Sequence, residues 1–65
     1  MSEDERSELR RVARQLRAAR ERLSAAMFAA EAASDDAHAS GVPETEIART
    51  LGVNRMTVRR WLGKL

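Results

Sequence analysis

The chain has 65 residues, with twelve Lys and Arg against ten Asp and Glu, one histidine and no cysteine. This length fits one small domain and excludes two. The absence of cysteine excludes a disulfide framework and a thiolate metal site, and His38 alone does not make a chelating cluster. No apolar run reaches the roughly 18–20 residues of a membrane span, and the acidic N-terminus is unlike a signal peptide. A soluble, cytoplasmic, non-enzymatic module without cofactor or metal is therefore expected.

The charges are arranged in alternating blocks although the net charge is only +2. Residues 1–9 carry −3, residues 10–22 carry +5 and residues 23–46 carry −5, whereas residues 47–65 carry +5 without any acidic residue. The two basic blocks are the segments to test for contacts with polyanions.

The first 40 residues predict one long helix. Between residues 3 and 40 there is no Gly or Pro, and Ala, Arg, Glu and Leu dominate. Ser2 and Glu5 have the spacing of a capping box, and Gly41 with Pro43 forms a stop signal. The expected helix has about 37 residues, with a kink or frayed stretch at residues 34–36, where Ser and Asp compete for backbone hydrogen bonds.

One stripe of apolar residues runs along this helix, and it needs a second surface against which it can be buried. At 1.5 Å per residue the helix is about 55 Å long, so its first part, residues 1–29, is expected to project from the rest. A large share of the apolar content is alanine, and self-association would add the burial that a chain of this length lacks. The simplest cover is a coiled coil with a second copy. The expected dimer interface consists of Leu9, Val12, Leu16, Ala19 and Leu23.

The charge order weakly favours an antiparallel pair. A parallel pair sets each charged block beside its own copy, whereas antiparallel pairing about Leu16 brings Glu8 near Arg22 of the second copy. The six arginines of residues 10–22 have two interpretations, either as solvated flanks of an amphipathic helix or as contacts to phosphate or another macromolecule.

Residues 41–62 (GVPETEIARTLGVNRMTVRRWL) predict two short helices joined by a tight turn. Gly52 supplies the left-handed backbone that such a turn needs, and Ala48 allows the helices to cross closely. Val53 fills the corner between them, and Asn54 is a favourable N-cap for a helix that starts near Arg55. That second helix has one basic face, with Arg55, Arg59, Arg60 and Lys64 opposite Val58, Trp61 and Leu62.

This stretch resembles the helix-turn-helix of bacterial DNA-binding proteins, among them the C-terminal domains of resolvases and invertases, transposases and small actinobacterial regulators. The resemblance implies an all-α, homeodomain-like three-helix unit over residues 30–65, without a wing, in which the end of the long helix packs across the motif. It rests on Gly41, Glu46, Ile47, Ala48, Leu51, Gly52, Val53, Thr57, Val58, Trp61 and Leu62. Pro43 departs from it, since such motifs often have Ser or Thr as cap.

The resemblance also implies roles for individual residues. Contacts to base edges in the major groove are expected from Arg55, Met56, Arg59 and Arg60. Contacts to phosphates are expected from Thr45, Asn54, Thr57 and Lys64. Trp61 is interpreted as a core residue and His38 as a surface or packing residue. Met27 and Phe28 are interpreted as the joint between the long helix and the motif, with exposure as a partner contact as the alternative.

Three functions remain open from the sequence. The leading hypothesis is a dimeric transcriptional regulator that places residues 55–62 in the major groove of a specific site. Its half-sites are expected about two helical turns apart, or on two bridged DNA segments, rather than one turn apart. The second is a nucleoid-associated or partition accessory that bridges DNA without reading its sequence. The third is a protein-interaction factor, such as an antitoxin, an anti-repressor or a polymerase-binding protein, that acts through the long helix.

Overall fold

The computed structural model describes residues 2–64, which form three helices. These are α1 (Glu3–Ala39), α2 (Glu44–Leu51) and α3 (Arg55–Trp61), and residues 2–64 contain no strand. The expected all-α arrangement of a long helix and a short helix pair is confirmed. Leu65, the last residue of the expected helix-turn-helix unit, lies outside the described residues.

The ends of α1 are those that the sequence predicts. The Ser2 hydroxyl accepts a hydrogen bond from the Glu5 amide at 3.3 Å, and the Ser2 amide donates to the Glu5 carboxylate at 3.4 Å. This reciprocal pair is the predicted capping box. At the other end Gly41 has a φ of +96°, and the Val42 amide donates back to the Ala37 carbonyl at 3.0 Å. The chain therefore turns immediately after α1 and leads into α2.

The prediction of a frayed stretch at residues 34–36 is wrong. The helix is uninterrupted there, and Ser34 is buried with only 1% of its surface exposed. Its hydroxyl donates to the Ala30 carbonyl at 2.8 Å, one turn earlier. Because the serine hydroxyl is satisfied within the helix, it does not compete for the backbone, and its small size lets α2 approach.

The core lies where the three helices meet. Ile47, Ala48 and Val58 are buried, and four partly buried apolar residues pack around them: Ala37, Val42, Val53 and Leu62. Trp61 is only half-buried, so its interpretation as a core residue holds in part. The core is small because only the last turns of α1 contribute to it.

The interpretation of Met27 and Phe28 as the joint between α1 and the motif is wrong. Phe28 is 76% exposed and Met27 is 42% exposed. At 100° per residue, Phe28 points away from the side of α1 that carries Ala30 and Ser34. Met27 shares that side but is not among the residues of the core where the three helices meet.

The molecule is a rod of 57 × 19 × 16 Å, because α1 extends well beyond the helix pair. The apolar stripe on its first part is exposed: Leu9 by 57%, Val12 by 42%, Leu16 by 49% and Leu23 by 62%. These four side chains and Ala19 lie on the same side of the helix as Ala30 and Ser34. One continuous stripe is thus covered by α2 and α3 at one end and open at the other.

Candidate nucleic-acid interface

The turn between α2 and α3 fixes the orientation of α3. Gly52 adopts φ 70° and ψ 32°, the left-handed conformation predicted for it. Its amide donates to the Arg49 carbonyl at 3.3 Å, and the Val53 amide donates to the Ala48 carbonyl at 3.0 Å. These two bonds end α2 and turn the chain into α3.

The start of α3 is capped by a side chain, whereas the start of α2 is not. The Asn54 side-chain oxygen accepts from the Met56 amide at 2.6 Å, which confirms Asn54 as the N-cap. Pro43 precedes α2 without any side-chain cap bond, so nothing replaces the Ser or Thr cap that is common in such motifs. Capping occupies the Asn54 oxygen, so only its amide group is available to a phosphate.

One side of α3 is buried and the other is basic. Val58 is fully buried and holds the helix against α1 and α2. On the outer side Met56 is 51% exposed and the Arg55 side chain is 59% exposed, and Arg60 is exposed as well. The three side chains extend from a helix without any acidic residue, which is the character of a helix that enters a major groove.

Glu44, the first residue of α2, forms ion pairs with the cationic side chains along the edge of α3 that faces α2. One carboxylate oxygen lies 2.9 Å from Arg59 Nη1 and 4.0 Å from Arg55 Nε. The other lies 2.6 Å from Lys64 Nζ. The Glu44 side chain is only 13% exposed, compared with 31% for Arg59 and 37% for Lys64. Three of the four expected cationic DNA contacts therefore face one carboxylate.

The environment of Glu44 stabilises its charged form. The hydrogen bond from Lys64 lowers the pKa of Glu44, burial opposes this effect, and the bond from Arg59 lowers the pKa further. Lys64 Nζ also lies 2.9 Å from His38 Nε2, whose ring is half-buried at the end of α1. His38 is thus a packing residue, as expected, and it connects α1 to the Glu44 cluster.

The remaining expected phosphate contacts lie around the helix pair. Thr45 is exposed in the first turn of α2, and Thr57 is half-buried on α3. The assignment of base and phosphate contacts to individual residues stays a prediction.

Two residues of this region were not identified from the sequence. Ser34 continues the three-to-four spacing of the apolar stripe, so its position on the packed side was readable from the periodicity. Glu44 gave no local signal, because its partners Arg59 and Lys64 follow it by 15 and 20 residues. Only the folded turn brings these groups together.

Comparison with known families decides the kind of domain. The family described as homeodomain-like domain matches residues 6–64, nearly the whole chain. The chain belongs to the homeodomain-like family. This membership confirms the helix-turn-helix expected from the sequence and indicates DNA binding.

The homeodomain-like family is typically non-enzymatic. No curated protein and no solved structure gives a significant match to the chain. Among residues 2–64, no helix is both long and apolar enough to cross a membrane. The same residues contain no group of acidic and histidine side chains that could hold a metal ion.

Proposed function

We propose that this homeodomain-like domain binds double-stranded DNA in a sequence-specific manner, with α3 in the major groove, and acts as a dimeric transcriptional regulator. The observation that carries the proposal is the two-sided character of α3. Val58 holds one side in the core, Met56 and Arg60 extend from the opposite side, and the exposed Arg55 lies at the edge beside Glu44. A helix held in this way presents its outer side chains to base edges at a fixed angle.

The proposed base contacts differ in chemistry. Arg55 and Arg60 can each form a bidentate pair with guanine O6 and N7, and Met56 can pack against a thymine methyl group. Arg59 is a further candidate, but in the free domain its guanidinium is held by Glu44. The proposed phosphate contacts come from Thr45, Asn54, Thr57 and Lys64, of which Lys64 is also held by Glu44.

A single domain of this size offers too few contacts for tight specific binding. One module buries about 600–1,000 Å² on DNA, and dimers reach specificity by doubling that footprint. The exposed stripe of Leu9, Val12, Leu16, Ala19 and Leu23 supports a second copy as the partner, since such a stripe is costly to leave in water. The segment of residues 1–29, which contains the first part of α1, then serves as the dimerisation arm of the unit that starts at residue 30.

The position of the helix pair supports an antiparallel dimer. The exposed stripe and the surface that α2 and α3 cover lie on the same side of α1. The helix pair therefore protrudes from the side of α1 on which the proposed dimer interface lies. Two helices that pack together lie 8–10 Å apart, which leaves no room between them for two such pairs at one level. Antiparallel pairing about Leu16 places the helix pairs at opposite ends. The projecting part of each α1 then ends where the other copy's helix pair begins.

This arrangement sets the distance between the two DNA-binding units. From Leu16 to the packed end of α1 is about 28 Å at 1.5 Å per residue, so the units lie roughly 55–60 Å apart. One turn of DNA spans about 34–36 Å, which makes half-sites nearer two turns apart than one.

The experiment that tests sequence reading is a selection from randomised duplexes, followed by affinity measurements on the selected site. We expect Arg60→Ala to weaken binding to that site by about 1–3 kcal/mol and to relax the preference at one base pair. Arg17→Ala removes the same charge at an exposed position in the middle of α1, remote from both helix pairs of the proposed dimer, and is the matched control. A selection that returns no preferred sequence overturns sequence reading and favours bridging of DNA without specificity.

A further inference from the structure

We propose that Glu44 is a specificity-determining residue, an internal counterion that withholds Arg59 and Lys64 from DNA phosphates and so weakens binding to unrelated sequences. The inference rests on the proposed DNA binding and adds to it an acidic residue within the basic surface. The observation behind it is the convergence of three cations on one mostly buried carboxylate.

The geometry shows that the cations are already engaged. Glu44 uses a different oxygen for each of its two close partners, Arg59 at 2.9 Å and Lys64 at 2.6 Å. Arg59 is held further by a 3.4 Å bond from Nη2 to the Lys64 carbonyl, and Lys64 Nζ also meets His38. A phosphate oxygen must replace the carboxylate to bind either cation. By contrast, Met56 and Arg60 lie on the outer side of α3 and form no ion pair with Glu44.

This arrangement separates two kinds of DNA contact. Phosphate contacts add affinity on any sequence and dominate non-specific binding, whereas base contacts discriminate between sequences. A carboxylate that competes with phosphates therefore lowers non-specific affinity. It also keeps the Arg59 guanidinium in one orientation, which favours a defined contact on a target site. The ratio of specific to non-specific affinity is thus expected to depend on Glu44.

The test is the salt dependence of binding to a mixed-sequence duplex. Each phosphate contact adds about 0.9 to the slope of log affinity against log salt concentration, so Glu44→Gln, which releases two cations, is expected to steepen the slope by about 1–2. At about 0.1 M salt its affinity for that duplex should rise about tenfold, and its affinity for a selected target should rise less.

Glu46→Gln is the matched control. It removes the same charge from the same helix, and Glu46 is exposed and belongs to no ion pair described for residues 2–64. Equal slopes for the two variants would show an effect of net charge alone and overturn the inference. Thermal unfolding of both variants confirms that the helix pair is intact.

A second variant keeps the test valid if Glu44→Gln does not fold. In the wild-type background, Lys64→Gln is expected to change the slope by much less than 0.9, because Lys64 is engaged by Glu44. A full loss of about 0.9 would show that Lys64 already contacts phosphate and would overturn the inference. In the Glu44→Gln background the same substitution should cost a full contact, which a double-mutant cycle measures.

The two proposals fail in different ways. If the wild-type domain binds no duplex, the proposed function fails and the inference fails with it. If the wild type binds but Glu44→Gln gives the same slope as Glu46→Gln, the inference alone fails. The ion cluster is checked without DNA by NMR titration of the Glu44 carboxyl, whose pKa should rise when Lys64 is replaced by Ala. An unchanged pKa would show that the cluster does not form in solution.

Discussion

The two parts of α1 carry the same apolar stripe and meet different surroundings. In the last turns, Ser34 is buried and Ala30 and Ala37 are half-buried, because α2 and α3 pack on them. In the earlier turns Leu16 and Leu23 are about half or more exposed. The larger side chains thus lie on the open part and the small ones on the covered part.

The difference shows what each part of the stripe is suited for. Small residues let two short helices approach α1 closely, and the resulting core consists of Ile47, Ala48 and Val58. Large residues at regular spacing bury more area against a second helix. Tertiary packing within the chain therefore stabilises the helix-turn-helix, whereas the open part depends on local capping and, we propose, on a second copy.

The largest expected effect is that of Val58→Asp on the covered part. A carboxylate without a partner replaces the fully buried side chain, and breaking so small a core is expected to cost about 3–5 kcal/mol. DNA binding should be lost, while the open part of α1 keeps its helix in the dimer. Circular dichroism measures the helix content, and sedimentation measures whether the dimer remains.

Val58→Ala is the milder variant at the same position and is expected to cost about 1–3 kcal/mol of folding stability. Wild-type DNA binding by Val58→Asp would contradict this account of the core.

The second prediction concerns the open part. Leu16→Asp places two carboxylates at the centre of the proposed antiparallel interface, and the dissociation constant of the dimer is expected to rise at least about a hundredfold. Analytical ultracentrifugation measures this, and a mixed-sequence duplex should still bind the monomer. Phe28→Asp is the control, because Phe28 is the more exposed residue at 76% but lies off the stripe. An equal loss of dimer in both variants would exclude the stripe as the interface.

The third prediction concerns the turn that orients α3. An added Cβ at Gly52 meets nothing within 4 Å, so Gly52→Ala tests the left-handed backbone conformation alone. Its expected cost is about 1–2 kcal/mol, measured by thermal unfolding. Gly63 has a similar φ of +73° but follows α3, where the backbone can adjust without moving the helix pair. Gly63→Ala should therefore cost less, and a reversed order would contradict the role given to the turn.

Most of the fold was predictable because its signals are local. The capping box of Ser2 and Glu5, the left-handed Gly52 and the Asn54 cap each depend on a few adjacent residues. The periodicity of the stripe also predicted which side of α1 is apolar. These features are properties of short segments, so the sequence carries them without knowledge of the tertiary structure.

The errors arose where packing over distance decides the outcome. Ser34 was expected to weaken the helix, but the approach of α2 buries it and its hydroxyl bonds to Ala30. Phe28 was expected to be a joint, but its angular position excludes it from the packed side and it is exposed. Glu44 was not identified because its partners lie on the other side of a turn. The basic side of α3 was predicted, whereas the acid that neutralises part of it was not.

The smallest expected effect is a pH dependence of the covered part that the open part lacks. Because its partners lower the pKa of Glu44 in the folded domain, the resulting stability is fully present above the unfolded value of about 4.5. This stability is lost as the pH falls through the lower folded pKa.

Thermal unfolding between about pH 6 and pH 3 should therefore show a decline in the stability of the wild type that is shallower in Glu44→Gln. The other carboxylates and the neighbouring Arg55, Arg59, Lys64 and His38 are common to both proteins. Identical pH profiles with and without the Glu44 carboxyl would show that the cluster contributes nothing to folding, and would leave the apolar contacts of Val58 and Ile47 as the stabilising ones.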